Sequence, residues 1–452
     1  MSIFSRIFGK AEPARTRRFD GATGGRRGVG MGTFGRINPE TAAAGPAIRS
    51  RASHLAMNAP FISNAVGNWV GALIGPGIQP AARHPDAATR NALNQHFSDW
   101  CNRADAERRT DFAGLQVAVA NSLVVAGEAV ALISDMADGP RIRVLPVEML
   151  DESKTLELSG GRSIFSGVEL DATGCRVAYW IVPERPGQAW QTYAPSVRVE
   201  ADSVLHVVKP LAAGQLRGVS WLAPIILPAG DLDRLCDALL KGAQVSAMMA
   251  GFIIDQSGTG DPLNNEETPS LEPGALVRLP SGTDIKFNSP QQAQQMGEFI
   301  KLNLRQLAAG LGLPDHMLSG DLTGANYSSL RAGLLPFRQR VEQVQYTVLV
   351  PQFLAPVWRA VILHGILSGD LEAPDFEANP EAYLQADWLP PRPLQVDPLK
   401  DISATKAELE AGLTSRRKAV AERGWILEDL DAEIEAERGT VAKDKDSENG
   451  AA

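Results

Sequence analysis

Leu330, Leu334, Phe337, Val341, Val344 and Val348 follow one another at spacings of 4, 3, 4, 3 and 4. This is the apolar seam of one long helix. Pro336 lies inside the seam, and Pro351 and Pro356 follow it closely. A proline in a helix interior removes a backbone donor and clashes with the preceding turn. The seam therefore predicts a long helix that kinks or breaks near Pro336.

The segments around that helix alternate in texture. Residues 1–45 read as a flexible basic arm, rich in Gly and Arg. A first helix is expected over Ala47–Leu73, stopped by Gly75-Pro76-Gly77. Further helices are expected over Pro85–Asn102 and Asp111–Val125, from apolar residues at helical spacing. From Ala129 to Val208 the pattern becomes short β-prone runs (Ala129–Ser134, Arg141–Pro146, Arg176–Val182, Val204–Val207) between Gly, Pro and Asp turns. Asp231–Ala250 is again helical, with Leu232, Leu235, Cys236, Leu239, Leu240 and Ala243 in one stripe.

A β-rich insert runs from Gly251 to Asn288, where Ala275–Leu279 and Thr283–Phe287 flank Pro280-Ser281-Gly282 as a hairpin signal. Ser289 as N-cap, Pro290 at the first helical position and Gln292 completing a capping box then open another helix. Its stripe is Met296, Phe299, Ile300, Leu304, Leu307 and Leu311, and Gly312-Leu313-Pro314 ends it. A polar, small-residue stretch, Ser319 to Asn326, separates this helix from the proline-bearing seam. After Leu389-Pro390-Pro391-Arg392-Pro393 one last helical region covers Asp397–Gly439. The fold class is α+β.

Charge is unevenly placed along the 452 residues. The net charge is −9, yet Met1 to His54 holds ten Lys or Arg against three acids, and Asp397 to Ala452 holds fourteen acids against nine bases. The basic arm suits an anionic partner such as DNA or an acidic protein surface, or a plain solvated tail. Ala59–Ile78, Leu115–Ile133 and Val348–Leu367 look membrane-like. They are interrupted by Asn64 and Asn68, by Asn121 and Glu128, and by Pro351, Pro356, Arg359 and His364. None offers about 20 clean apolar residues, so buried helices are expected and no membrane partner.

Motifs for chemistry are missing. Cys101, Cys175 and Cys236 lie more than 60 residues apart and form no metal or disulfide framework. Gly30-Met31-Gly32-Thr33-Phe34-Gly35 fits GxGxxG but lacks a preceding strand. GxxxxGK[ST], GxSxG and HExxH do not occur, and the six histidines never fall at i, i+3 or i+4. The expectation is a protein with no catalytic residues, no metal and no cofactor. The competing reading is a DNA-processing enzyme with a basic arm, which needs acids or histidines gathered around one pocket.

Several strings, taken in order, resemble the portal proteins of the lambda-type family of tailed phages. The most specific is Gly310-Leu311-Gly312-Leu313-Pro314 through Leu318-Ser319-Gly320-Asp321, followed by Ala325-Asn326-Tyr327-Ser328-Ser329-Leu330-Arg331-Ala332-Gly333. A second is Asp397-Pro398-Leu399-Lys400 with Ala411-Gly412-Leu413-Thr414-Ser415-Arg416. Weaker echoes are Asn58-Ala59-Pro60-Phe61 with Gly75-Pro76-Gly77-Ile78, and Ala247-Met248-Met249-Ala250-Gly251-Phe252. The likeness covers roughly residues 45–440.

The resemblance implies a ring subunit with a helical stem, a mixed α/β wing, a small β-containing clip and a helical crown, usually in a ring of twelve. The implied division is wing at 46–229, stem helices at 230–250 and 289–312, clip at 251–288 and tunnel-loop region at 313–329. The kinked helix and second wing part would take 330–396, the crown 397–440 and a disordered tail 441–452. Implied partners are double-stranded DNA, the terminase large subunit, a head-completion adaptor and the major capsid protein. The implied location is the portal vertex of the virion, after assembly in the host cytoplasm. Ser319, Gly320, Asp321, Thr323, Gly324 and Asn326 would line the DNA channel, with Pro336 as the adjusting kink. A conduit needs weak contact with DNA, and small polar residues supply it.

Overall fold

The computed structural model describes residues 34–136, 138–183, 194–248, 251–254, 276–279, 290–323, 326–390, 398–421, 423–425, 427–428 and 430–437. The chain opens with α1 (Ile37–Asn58) and α2 (Pro60–Ile74). These replace the single helix expected over Ala47–Leu73. Pro60 has no N–H to continue the first helix, and Ala59 takes an extended backbone (φ −95°, ψ 113°) between the two. α1 also reaches back to Ile37, so the end of the expected arm is folded, and Arg49 is buried rather than free. α2 stops as foreseen at Gly75. Gly77 (φ +124°) brings the chain so close to Ala113 that a Cβ there would lie 3.0 Å from the Ala113 Cβ.

After β1 (Gln79–Ala82) come α3 (Ala87–Cys101) and α4 (Phe112–Val125). Asp86 and Asp111 cap them, accepting from the N–H groups of Thr89 and Gly114. β2 (Glu128–Met136) is the centre of an antiparallel sheet between β3 (Gly139–Leu145) and β9 (Val204–Val208). Between β3 and β9 a five-stranded antiparallel meander is inserted. It consists of β4 (Leu156–Glu157), β5 (Ser163–Phe165), β6 (Val168–Leu170), β7 (Arg176–Ile181) and β8 (Val197–Glu200). The mixed fold class read from the sequence holds.

The main core gathers the apolar faces of α2, α3 and α4 with the helix after Pro351. Phe97 packs 5.1 Å from Trp358, and Phe112 stacks 5.8 Å from Phe353. All four rings are buried, and each such side chain contributes roughly 1.5–3 kcal/mol of transfer free energy. A smaller cluster, Val130, Leu145, Leu150, Val168, Tyr179, Ile181 and Val204, joins the two sheets. Cys101 packs against the main core, and burial pushes its thiol up to about 12.

α5 (Ile226–Met248) starts five residues earlier than its stripe suggested. Beyond it β10 (Gly251–Ile254) pairs in parallel with β11 (Leu276–Leu279). The strand expected at Thr283–Phe287 and the Ser289 cap lie outside the described residues. α6 (Pro290–Leu311) and the short α7 (Asp315–Ser319) follow.

The proline-bearing seam, expected to kink or break near Pro336, runs on as helix there. α8 (Tyr327–Val344) carries Pro336 without a break. Ala332, whose carbonyl loses its donor there, is exposed, so water can satisfy it. The change comes at Pro351, inside a π-helical segment Gln345–Leu354 that leads straight into α9 (Ala355–Ser368). The wider turn absorbs the proline. It also aims Gln345 at the Leu73 carbonyl (2.7 Å), while Gln352 pairs with both backbone groups of Val208 (2.7 and 3.0 Å).

By length and composition Leu330–Ser368 could cross a membrane. Here Val357, Trp358, Val361 and Ile362 line the main core, as the sequence reading of this stretch required. α10 (Pro380–Leu384) then feeds β12 (Ala386–Leu389), antiparallel to β1. α11 (Pro398–Glu410) and α12 (Arg416–Ala421) follow, and Glu428 pairs with Arg90 of α3 at 2.9 Å.

Candidate functional site

The segment from Gly312 to Asn326 links α6 to α8. Gly312 (φ +71°) turns the chain out of α6, and a Cβ there would sit 2.5 Å from Arg340 Nη1. Four backbone carbonyls at this turn meet side-chain donors. Trp69 Nε1 donates to Leu311 (3.2 Å) and Arg340 Nη1 to Gly312 (2.7 Å). Asn64 donates to Met317 and Leu318 (2.9 and 3.1 Å), and Asn68 donates to Met317 (2.6 Å). One face of α2 thus fixes the base of the segment. Trp69 is itself held edge-on by Phe337 (4.9 Å) and Trp221 (5.0 Å), with Lys209 Nζ 4.6 Å from the centre of the Trp221 ring.

The tip is held differently. Ser319 ends α7, its hydroxyl donating to the Asp315 carbonyl (2.9 Å) and accepting from the Asp321 N–H (3.2 Å). Gly320 takes a left-handed backbone (φ +71°). Asp321 Oδ1 accepts from the N–H (2.8 Å) and hydroxyl of Thr323. Its Oδ2 faces Lys301 Nζ of α6 at 3.7 Å, and Arg305 Nε of α6 lies 3.4 Å from Asp315 Oδ2. The Thr323 bonds, then Lys301, hold the Asp321 carboxyl below the usual carboxylate range.

The structure therefore brings Ser319, Gly320, Asp321 and Thr323 into one turn. Gly320, Asp321 and Thr323 are exposed, and Ser319 is half-buried. Gly324 lies outside the described residues. Asn326 is exposed, and its carbonyl accepts from Leu330 N–H at the start of α8 (2.9 Å). Pro336 sits further along α8 and takes no part in the turn.

A second polar centre went unread in the sequence. Glu128 is wholly buried on β2 and accepts from Arg217 Nε (3.0 and 3.1 Å), Arg217 Nη2 (2.7 Å), the Gly218 N–H (2.7 Å) and His206 Nε2 (3.0 Å). Arg217 also donates to the Ser166 carbonyl (2.8 Å) and Glu152 (3.0 Å). Arg49 of α1 reaches Glu128 (3.7 Å) and Glu152. Burial alone would raise the Glu128 carboxyl, but Arg217 and His206 hold it far below the ordinary range. Burial lowers His206 against the pull of Glu128. The loop carrying Arg217 fits because Gly127 and Gly218 let two backbones touch: a Cβ on Gly127 would fall 2.1 Å from the Val219 carbonyl carbon.

The centre is an ionic lock between α1, β2, β9 and the loop before α5. Both oxygens of Glu128 are engaged by protein donors. Among the described residues no group of three His, Cys, Asp or Glu could hold a metal ion.

Two curated relatives are portal proteins. "Probable portal protein" of Halomonas phage phiHAP-1 is 24% identical over 77% of this chain and 70% of its own length. "Portal protein" of Escherichia phage N15 is 24% identical over 92% of this chain and 89% of its own. A chain from the neck of an empty gene transfer agent particle is similar with 16% identity and a TM-score of 0.41, covering 88% of this chain and 97% of that one. The model of phage portal proteins of the lambda family matches residues 29–345, a span that includes the ionic lock, both long helices α5 and α6, and the turn between α6 and α8. On that match the chain belongs to the lambda family of phage portal proteins.

Proposed function

We propose that the protein is one subunit of a closed ring of twelve, set at a single capsid vertex, through which double-stranded DNA enters during packaging and leaves on ejection. The observation that carries this reading is the family match over residues 29–345. The amphipathic stripes of α5 and α6 support it, since Leu240 and Phe299 are left exposed on a single subunit. Apolar faces of this kind find cover against a neighbouring copy in a cyclic assembly.

In this reading α5 and α6 form the stem. Residues 251–288 form the clip, which meets the terminase large subunit during packaging and a head-completion adaptor afterwards. Residues 397–440 form the crown toward the capsid interior, and the major capsid protein surrounds the wing. Assembly takes place in the host cytoplasm. Ser319, Gly320, Asp321, Thr323, Gly324 and Asn326 narrow the channel, and α8 adjusts around Pro336. The protein catalyses no reaction and takes no metal or cofactor. ATP hydrolysis belongs to the motor that docks on it.

Electron microscopy of the purified full chain tests the assembly. The expected result is rings with a central hole wide enough for a duplex. A monodisperse monomer at micromolar concentration, with no ring induced by capsid protein, would overturn it. Gly324→Trp tests the loop: rings should form while DNA packaging is blocked. Normal packaging of full-length DNA by that variant would place the constriction elsewhere.

A further inference from the structure

The two ends of the 312–323 segment are held by forces of different kinds. Its base is fixed by hydrogen bonds from Trp69, Asn64, Asn68 and Arg340 to backbone carbonyls. Asp321 at the tip and Asp315 at the start of α7 meet α6 through exposed charged pairs, Lys301–Asp321 and Arg305–Asp315, the second also a long hydrogen bond (3.4 Å). All four of those side chains are between 38% and 62% exposed, so each pair is weak and open to ionic competition. Lys301 and Arg305 are the only cations in α6 and stand four residues apart, on one face. Both face an acid from the following turn. The Thr323 bonds to Oδ1 orient the Asp321 carboxylate so that Oδ2 meets the lysine.

We propose that Lys301 and Arg305 form an anion-exchange strip. In the empty protein Asp321 and Asp315 occupy it, and the backbone phosphates of duplex DNA displace them when DNA is present. The proposal rests on the channel reading given above. Duplex DNA presents a much denser line of negative charge than two isolated carboxylates, and its binding to cations gains from counterion release. The acids then set how strongly α6 grips. While they remain in competition, each phosphate contact costs the loss of an ion pair, and net attraction stays small. The exchange also frees the tip while the base stays fixed, so the loop can swing aside without losing its anchor on α2.

The test is binding of a fluorescent duplex of about 30 base pairs to the purified full-chain protein, followed by anisotropy over a range of salt. Asp315→Asn with Asp321→Asn should tighten binding. It should also steepen the fall of log K with log salt by about 0.9 for each phosphate newly met. Lys301→Gln with Arg305→Gln should weaken binding and flatten the slope. The fourfold variant should match the Lys/Arg double, because the acids act only through those cations. A general loosening of the turn cannot produce opposite signs in the two doubles.

If the Asp double keeps wild-type affinity and slope, or the fourfold variant still binds more tightly than wild type, the exchange strip is wrong. Gly324→Trp separates this failure from that of the underlying reading. Blocked packaging with an unaltered Asp double sinks the exchange alone. Free packaging by Gly324→Trp removes the loop from the channel altogether.

Discussion

Glu128 and Asp321 are both acids faced by cations, in opposite surroundings. Glu128 is wholly buried, meets Arg217 through three close contacts, and adds Gly218 and His206. Asp321 is exposed, meets Lys301 at 3.7 Å, and is otherwise bound only within its own turn. Desolvation makes the first arrangement all or none, since an uncompensated buried charge is severely destabilising. Water makes the second reversible. A protein that must stay assembled while a long anion passes it needs both kinds. The comparison assigns them: the rigid lock to the body that carries the sheets, the exchangeable pairs to the loop.

The largest effect that could break this contrast is loss of one partner in the lock. Arg217→Met should cost about 3–5 kcal/mol in chemical denaturation, because the buried Glu128 charge loses its closest cation. Pairing it with Glu128→Leu should recover part of that loss. Equal or additive losses in the double variant would show that the two residues do not act as one unit.

The pH dependence has a definite sign. Glu128 is held below its unfolded value, so its stabilisation is complete above the ordinary carboxylate range and is lost as pH falls through that range and beyond. His206 is also lowered, so the unfolded chain takes up its proton first and stability falls further below about pH 6.5. Melting temperature should therefore drop from pH 7 to pH 4. In Glu128→Gln with His206→Asn the fall over that interval should be shallower than in wild type. A parallel fall in both would move the acid sensitivity elsewhere.

The sequence made the elements legible wherever one period ran unbroken. The helices α3 and α4, the stop at Gly75, and β2, β3, β7 and β9 all lie within a few residues of their expected places. Failures came where tertiary contact overrode local signal. Pro336 reads as a point of kink or break, and α8 continues through it unbroken. Pro351 reads the same way and is absorbed by a π turn. The anchors were visible but misread as mere interruptions of apolar runs. Asn64 and Asn68 interrupt one such run, and Glu128 interrupts another. Each is polar because a carbonyl or a guanidinium, distant in sequence, must be met there. Arg49 counted as arm charge for the same reason. The partners lie up to 254 residues apart, and no spacing rule reaches that far.

A smaller effect sharpens the contrast at the loop base. Trp69→Phe keeps an aromatic ring between Phe337 and Trp221 but removes the donor to the Leu311 carbonyl. The expected loss is about 1–3 kcal/mol, the usual cost of an unmet buried polar group. Amide hydrogen exchange should rise across 312–319 and stay unchanged in α3. Exchange that rises equally in both would mean that Trp69 supports the core generally and not the loop.

The smallest expected effect on stability, and the most informative for the tip, is that of Asp321→Lys. Asp321 is exposed and its partners are local, so the melting temperature should not move measurably. What changes is charge: the Lys301 pairing becomes a repulsion, and every subunit gains a cation beside another. DNA handling should acquire a steeper salt dependence than in wild type, with slow packaging at low ionic strength that recovers as salt is raised, because each added phosphate contact is weakened by salt. Asp231→Lys on α5, another exposed acid whose local partner is Arg234, controls for net charge. If both substitutions slow packaging to the same degree, the effect belongs to the charge of the ring as a whole and the tip has no special place. A deficit confined to Asp321→Lys would mark the turn as the point where protein and DNA meet.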